Sequence, residues 1–340
     1  MKVLSPARVA FSLAVLASVL ALALLLAVVS GPSALPLDEV WRALIGDDDK
    51  SAAADIVLRV RLPRALLGMA VGASLAVAGV LFQALLRNPL ADPFVLGVSG
   101  GAALGGILVL ALGSSFGLGY AAVPPAAFAG ATLTTLLLYT IAGVHGHVSS
   151  THLLLTGVVF NAFASAAIVF LASISGLTEG SNIFLWLIGS LSAVRGEVTG
   201  WVAFFLVAGL ACALPMARGL NLLALGEESA QQLGIDVERQ KRLLLLATSF
   251  MVGAAVSAAG LIGFVGLIIP HLLRLVLGPD HRLLVPAAAL GGAIFLVVCD
   301  TAARTLLGGR ELPVGAITAV AGGPLFLWLL RRQQQRIFAP

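Results

Sequence analysis

An all-α, polytopic membrane protein is the fold class this sequence predicts, and three observations carry it. Hydrophobic residues are 59% of a 340-residue chain, enough for on the order of ten bilayer-spanning helices at about 20 residues each. Charged residues are 11% of the chain, against roughly 25% in soluble proteins. The apolar residues run in long unbroken stretches, whereas strands of a membrane barrel alternate apolar and polar side chains. A soluble enzyme, a disordered chain and a secreted disulfide scaffold are excluded. The net charge of +4 does not indicate nucleic acid, because the basic residues flank apolar runs, where membrane topology places them.

The first span is expected at Val9–Val29, after Lys2 and Arg8. It is longer than the apolar core of a cleaved signal, about 7–15 residues, so it is expected to stay as a helix. Nine further spans are expected: Leu62–Leu86, Phe94–Leu112, Ala121–Ala142, Leu153–Ile174, Val198–Met216, Leu243–Ala259, Leu261–Leu277, Leu283–Leu307 and Val314–Leu330. Leu243 to Pro279 is short for two crossings and a turn. It reads either as a pair with a short, broken helix around Pro270 or as one span with a re-entrant end. With the N-terminus inside, twelve of the twenty Lys and Arg fall on the cytoplasmic side, so both termini are expected there. The whole chain, 1–340, reads as one domain.

Two hydrophilic segments interrupt the spans. Ser30 to Arg61 reads as an external loop, with Asp47-Asp48-Asp49-Lys50 as its solvated tip rather than a cation site. Ala217 to Arg242 is the longest cytoplasmic segment. Within it, Gly226 to Gly234 reads as a short helix, because Glu227 and Glu228 in a first turn suit the helix dipole and Gly234 is a natural stop. A short bounded helix on that face reads as a docking element.

Chemistry within the membrane is sparse. Asp300 is the exception, four residues before Arg304 on the same helix face, the favourable order for an ion pair. A self-neutralising pair fits it better than a proton relay, which needs a chain of titratable groups. That weighs against an ion-coupled secondary transporter, the alternative function considered. Lone His271 reads as a locally hydrogen-bonded residue. Neither a His-Glu-x-x-His zinc pattern nor a Gly-x-Ser-x-Gly elbow occurs, so no catalytic residue and no metal site is assigned. Cys212 and Cys299 lie in apolar runs and read as small hydrophobes. Gly68 and Gly72, then Gly97, Gly101 and Gly105, then Gly260, Gly263 and Gly266 recur at spacings that let helix backbones approach closely in lipid. A phosphate-binding loop is missing, so any ATP must be bound by another subunit.

Longer strings are more specific. They are Arg61-Leu62-Pro63-Arg64, Gln83, and Arg87-Asn88-Pro89-Leu90-Ala91-Asp92-Pro93, then Leu96-Gly97-Val98-Ser99-Gly100-Gly101-Ala102. Phe264-Val265-Gly266-Leu267-Ile268-Ile269-Pro270-His271-Leu272-Leu273-Arg274 and Glu311-Leu312-Pro313-Val314-Gly315-Ala316-Ile317-Thr318 complete the set. Together, from about Arg61 to Arg331, they resemble the FecCD family of permeases, membrane subunits of type II ABC importers for ferric siderophores, haem and cobalamin. The resemblance implies ten transmembrane helices per subunit, including an unusually short eighth one. It also implies a second copy of the chain around one translocation path, two cytoplasmic ATP-binding subunits that carry ATP and Mg, and one periplasmic substrate-binding protein. The location implied is a bacterial inner membrane, and the chain itself is expected to hold no cofactor.

Residue roles follow from the matched strings. Leu225, Gly226, Glu227, Glu228, Ser229, Ala230, Gln231, Gln232, Leu233 and Gly234, within a coupling segment of about 217–242, resemble the helix that fits a cleft on the ATPase. Arg61, Arg64 and Arg304 resemble external arginines that pair with glutamates of the binding protein. From the residues alone, Arg61 and Arg64 fit an interfacial anchor of the second span equally well. Ser150 and Thr151 resemble the small polar residues of a cytoplasmic gate, and they also suit a helix N-cap. Arg310 stands where the family often has a proline nearby and would add a fourth external charge. His152 stands where a relative carries arginine.

Overall fold

The computed structural model describes residues 5–46, 51–94, 96–144, 147–148, 150–175, 186–192, 196–307 and 311–337. Asp47 to Lys50 and Arg310 therefore lie outside the described residues. Each expected apolar run coincides with a helix. The helices are α1 (Pro6–Val29), α2 (Leu37–Ile45), α3 (Leu62–Leu85), α4 (Val98–Leu112), α5 (Val123–Ala142) and α6 (Ser150–Ile174). They continue as α7 (Gly196–Leu223), α8 (Glu227–Gln232), α9 (Val237–Ala259), α10 (Val265–Leu277), α11 (His281–Thr305) and α12 (Val314–Ile337). Extended pairing among the described residues is a two-residue ladder joining Gly143–Val144 to His147–Val148.

Among the described residues, seven helices are long and apolar enough to cross a membrane: α1, α3 with the turns before it, α5, α6, α7, α9 and α11. Three shorter apolar helices accompany them, at Val98–Leu112, Val265–Leu277 and Val314–Leu329. Helix α3 is central. Its most apolar window is 89% buried, against 17% for α1 and α6 at the periphery, and it packs on α7, α9, α10 and α11.

Small residues set those distances, since lipid gives helices little hydrophobic reason to associate and close packing must hold them together. A Cβ on Gly72 of α3 would collide with the backbone of Gly292 on α11, and one on Gly292 with Gly72. Gly79 meets the backbone of Gly266 in the same way, and Gly101 meets Gly130 and Thr134. Of the glycines singled out by spacing, Gly263 has open space around it.

Helix boundaries depart from expectation in two places. The Leu243–Pro279 pair is two helices parted at Gly260–Phe264, where the two expected spans meet, with Pro270 inside the short α10; the departure is at the start of the first helix. Room for the pair comes from α9 starting at Val237, where the Asp236 carboxylate accepts from the Arg239 N–H at 3.0 Å. Charged Glu238, Arg239, Lys241 and Arg242 thus belong to a helix rather than to a loop. The second departure is Ser30 to Arg61. It holds α2, a helical turn at Ala52–Ala54 and a π-helical turn at Asp55–Arg61 that runs into α3.

Candidate functional site

Two ends of the bundle carry the candidate residues. At one end, α7 stops at Leu223 and α8 follows after a turn at Gly226. Gly226 has φ of 121°, a conformation that glycine alone adopts without a Cβ penalty. Glu227 and Glu228 occupy the first turn of α8. The helix closes at Gly234, φ 85°, with the Ile235 N–H donating to Ala230 O at 3.0 Å and the Gly234 N–H to Gln231 O at 2.9 Å, a glycine-based C-terminal cap.

This helix has an inner and an outer side. Ala230 is fully buried, and the half-buried Glu227 carboxylate accepts from the Lys241 ammonium at 2.6 Å. Lys241 is itself buried on α9 and lies 3.7 Å from Glu238. Arg87, at the end of α3, reaches Glu227 at 4.0 Å. Glu227 thus ties α8 to α9 and approaches α3. The outer side presents Leu225 and Leu233, 69% and 61% exposed, with Glu228, Ser229, Gln231 and Gln232 exposed beside them. Two large apolar side chains flanking a short helix pinned from behind, with polar ones between them, make a surface suited to a protein cleft.

The same end is cross-braced by polar side chains. The Gln83 amide donates to Gly266 O and Leu267 O at 3.3 Å each and accepts from Arg274 at 2.9 Å. Asn221 on α7 donates to Asp280 at 2.9 Å, and the His281 N–H donates to Asn221 at 2.9 Å. Hydrogen bonds from the Arg282 guanidinium, then from Asn221, hold the Asp280 carboxyl well below the usual carboxylate range. Asp92, in the turn between α3 and α4, behaves oppositely. Its carboxylate accepts from the Phe94 N–H at 2.8 Å, yet burial pushes its pKa up to about 6. Helix α6 begins at Ser150, whose side chain is outside the described set, and Thr151 is exposed in its first turn.

At the opposite end the three arginines come together, but inward. Arg61, Arg64 and Arg304 are 2%, 5% and 2% exposed. Arg64 binds Asp300 through Nε at 3.0 Å and Glu311 through Nη1 at 2.8 Å. Arg304 binds the other oxygen of Asp300 at 3.0 Å. The expected Asp300–Arg304 pair is present and is part of a larger group of four charges. Glu311 is its exposed member, and Ser192 donates to it at 3.4 Å.

Arg61 and Arg304 also terminate α1. The last carbonyls of a helix lack intrahelical partners, and α1 has no basic residue in its own last turn. Arg61 donates to Val28 O at 2.9 Å and Val29 O at 2.7 Å, and Arg304 to Ala27 O at 3.1 Å. A Cβ at Gly31 would come within 2.7 Å of the Arg61 guanidinium, so a side chain there would displace that guanidinium. Arg61 and Arg304 thus tie the end of α1 to the start of α3 and to α11. All three guanidinium groups face into the protein, where most of their donors serve acceptors of this chain, while the buried Arg61 Nε has no hydrogen-bond partner among the described residues. For Arg61 and Arg64 the sequence carries no local signal, because their acceptors lie at least 28 positions away, whereas Asp300 marks Arg304 locally.

Comparison with known proteins agrees with the architecture. Residues 19–332 match the FecCD transport family. The chain is similar to the cobalamin import system permease protein BtuC of Halobacterium salinarum, 48% identical over 281 residues, covering 83% of this chain and 74% of that protein. It is similar to the hemin transport system permease protein HmuU of Yersinia pestis, 42% identical over 298 residues, covering 87% and 89%. Among solved structures, an inward-facing metal-chelate type ABC transporter aligns with a TM-score of 0.82 at 30% identity, covering 95% of this chain and 99% of that one. PsaBC from Streptococcus pneumoniae, in complex with Fab, shares the fold at a TM-score of 0.54 and 19% identity, covering 81% and 92%. This chain belongs to the FecCD transport family, with the fold of a type II ABC importer permease.

Proposed function

We propose that this chain is the membrane subunit of an ATP-driven importer that moves a bulky metal chelate into the cytoplasm. The substrate class is a cobalamin, haem or ferric siderophore, the kinds of cargo its relatives are named for. Two copies enclose one path, ten helices of each cross the bacterial inner membrane, and both termini are cytoplasmic. Two ATP-binding subunits on the cytoplasmic side bind and hydrolyse ATP with Mg. A soluble substrate-binding protein delivers cargo to the other side. ATP-driven movement of α8 opens one side of the path as the other closes, with Ser150 and Thr151 at the cytoplasmic gate.

One observation carries this reading: α8 is anchored to the bundle through Glu227 and Ala230 while Leu225, Glu228, Ser229, Gln232 and Leu233 face outward. A docking helix must be rigid toward its own chain and open toward its partner. At the opposite rim, Arg61, Arg64 and Arg304 organise the surface on which the binding protein docks. A receptor carboxylate reaches Arg64 by displacing Glu311, the exposed member of that cluster. Reversing rim charges would then change docking in a salt-sensitive way.

The test is Leu225→Asp with Leu233→Asp in the assembled transporter. Loss of the co-purifying ATPase together with loss of ATP-dependent uptake in proteoliposomes is the expected result. Retained uptake and assembly would overturn the docking assignment. Uptake without any ATPase would instead favour an ion-coupled carrier.

A further inference from the structure

Helix α2 carries an apolar stripe that the bundle does not cover. Leu37, Trp41 and Ile45 recur every four residues and are 69%, 61% and 59% exposed. At about 100° per residue, α2 divides into three sectors. Val40, Ala43 and the half-buried Leu44 face the protein, packing with Val28 and Val29 of α1 and with Val57 and Leu58. Asp38, Glu39 and Arg42 form a polar sector, with Arg42 and Asp38 paired at 2.8 Å and both well exposed. Leu37, Trp41 and Ile45 lie between these two sectors.

Depth and exposure identify what meets the stripe. Val28 and Val29 are the last turn of α1, so α2 lies level with the end of a bilayer-spanning helix. The preceding turns of α1 expose Leu22, Leu25 and Leu26 at 55%, 46% and 51%. Uncovered apolar side chains thus occur both on this peripheral spanning helix and on α2 packed against its end, and those of α2 include a tryptophan. Tryptophan favours the boundary between headgroups and acyl chains, where its ring is apolar and its N–H stays polar. A helix with one apolar and one charged side lies in that plane.

We propose that α2 is an interfacial helix, lying in the membrane boundary at the end of the bundle opposite α8. Leu37, Trp41 and Ile45 sit among the upper acyl chains, and Asp38, Glu39 and Arg42 sit in water. The occupant of the stripe is lipid, and α2 fixes how deeply this end of α1 and the turn bearing Arg61 sit in the bilayer.

The experiment uses the full chain in nanodiscs made with ordinary or acyl-brominated phosphatidylcholine. Subtracting the emission of Trp41→Phe from that of the unaltered chain isolates Trp41 from Trp186, Trp201 and Trp328. Loss of most of the Trp41 emission in brominated lipid, greater with bromine near the glycerol end than near the chain terminus, is the expected result. Aqueous iodide should have little effect. Ile45→Trp in the Trp41→Phe background gives a second reporter on the same stripe and should behave alike. Indifference to bromine with strong iodide quenching would place the stripe in water and overturn the proposal. Indifference to both, with a disulfide-linked dimer formed by Leu37→Cys, would assign the stripe to a second copy and overturn it equally.

Discussion

The two ends of this bundle use charge in opposite ways. At the α8 end, Glu228 faces outward, Glu227 is half-buried, and the ionic contacts of Glu227 are tethers from one helix to its neighbours. At the other end, Arg64, Asp300 and Arg304 are almost wholly withdrawn from solvent and leave Glu311 as the exposed carboxylate of the group. The first arrangement leaves a surface for a partner. The second holds α1, α3, α11 and the segment before α12 in one position, because a buried charge deprived of its partner is far costlier than an exposed one.

The largest expected effect breaks the buried group. Asp300→Ala leaves Arg64 and Arg304 without their shared acceptor and should destabilise the chain by about 3–5 kcal/mol, read as a drop in melting temperature in detergent. An unchanged melt would mean that the cluster is solvated in the membrane and that the contrast between the ends is false. Asp92→Asn comes next, with the opposite sign. The folded carboxyl has its pKa raised from 3.8 to about 6 by burial, so the stability gained by keeping it neutral is present below about pH 4 and lost as pH rises to about 6. Above that, the folded state carries a desolvated charge. The asparagine variant should therefore melt higher at pH 8, by on the order of 2–3 kcal/mol, and the advantage should vanish toward pH 4.

Glu227→Gln should cost about 1 kcal/mol and, under the proposed function, should lower uptake per ATP hydrolysed while the ATPase still co-purifies. Glu228→Gln should leave stability unchanged and weaken ATPase binding instead. If the two variants behave alike, α8 has no distinct inner and outer side. The smallest effect is expected from Arg59→Ala. Its pair with Asp55 is exposed on both sides, and its loss should stay within about 0.5 kcal/mol.

Much of this was legible in the sequence, and the misses have two causes. The ten apolar runs were readable because hydropathy sums over many residues. The helix at Glu227–Gln232 was readable because its acids and closing glycine are local signals. The start of α9 was obscured because Glu238, Arg239, Lys241 and Arg242 lower local hydropathy, although Asp236 is a strong N-cap that marks it. Helix α2 was hidden for the same reason, its apolar stripe diluted by Asp38, Glu39 and Arg42. The inward turn of Arg61 and Arg64 had no local sign, since their acceptors lie 28 or more positions away, whereas Arg304 had one in Asp300 four residues before it. Charge near a span therefore signals a membrane boundary but does not say which way the side chain faces.

The borrowed ending of α1 has a consequence for how the chain is made. The Ala27 carbonyl takes its hydrogen bond from Arg304, 277 positions later, and the Val28 and Val29 carbonyls take theirs from Arg61. During synthesis, the first helix enters the bilayer with its final turn incomplete and gains Arg61 as α3 follows. It stays without its last donor until nearly the whole polypeptide has been translated. Contacts so distant in sequence form late and slowly. A truncated or stalled product ending before residue 304 thus lacks the donor that Arg304 supplies to its first helix.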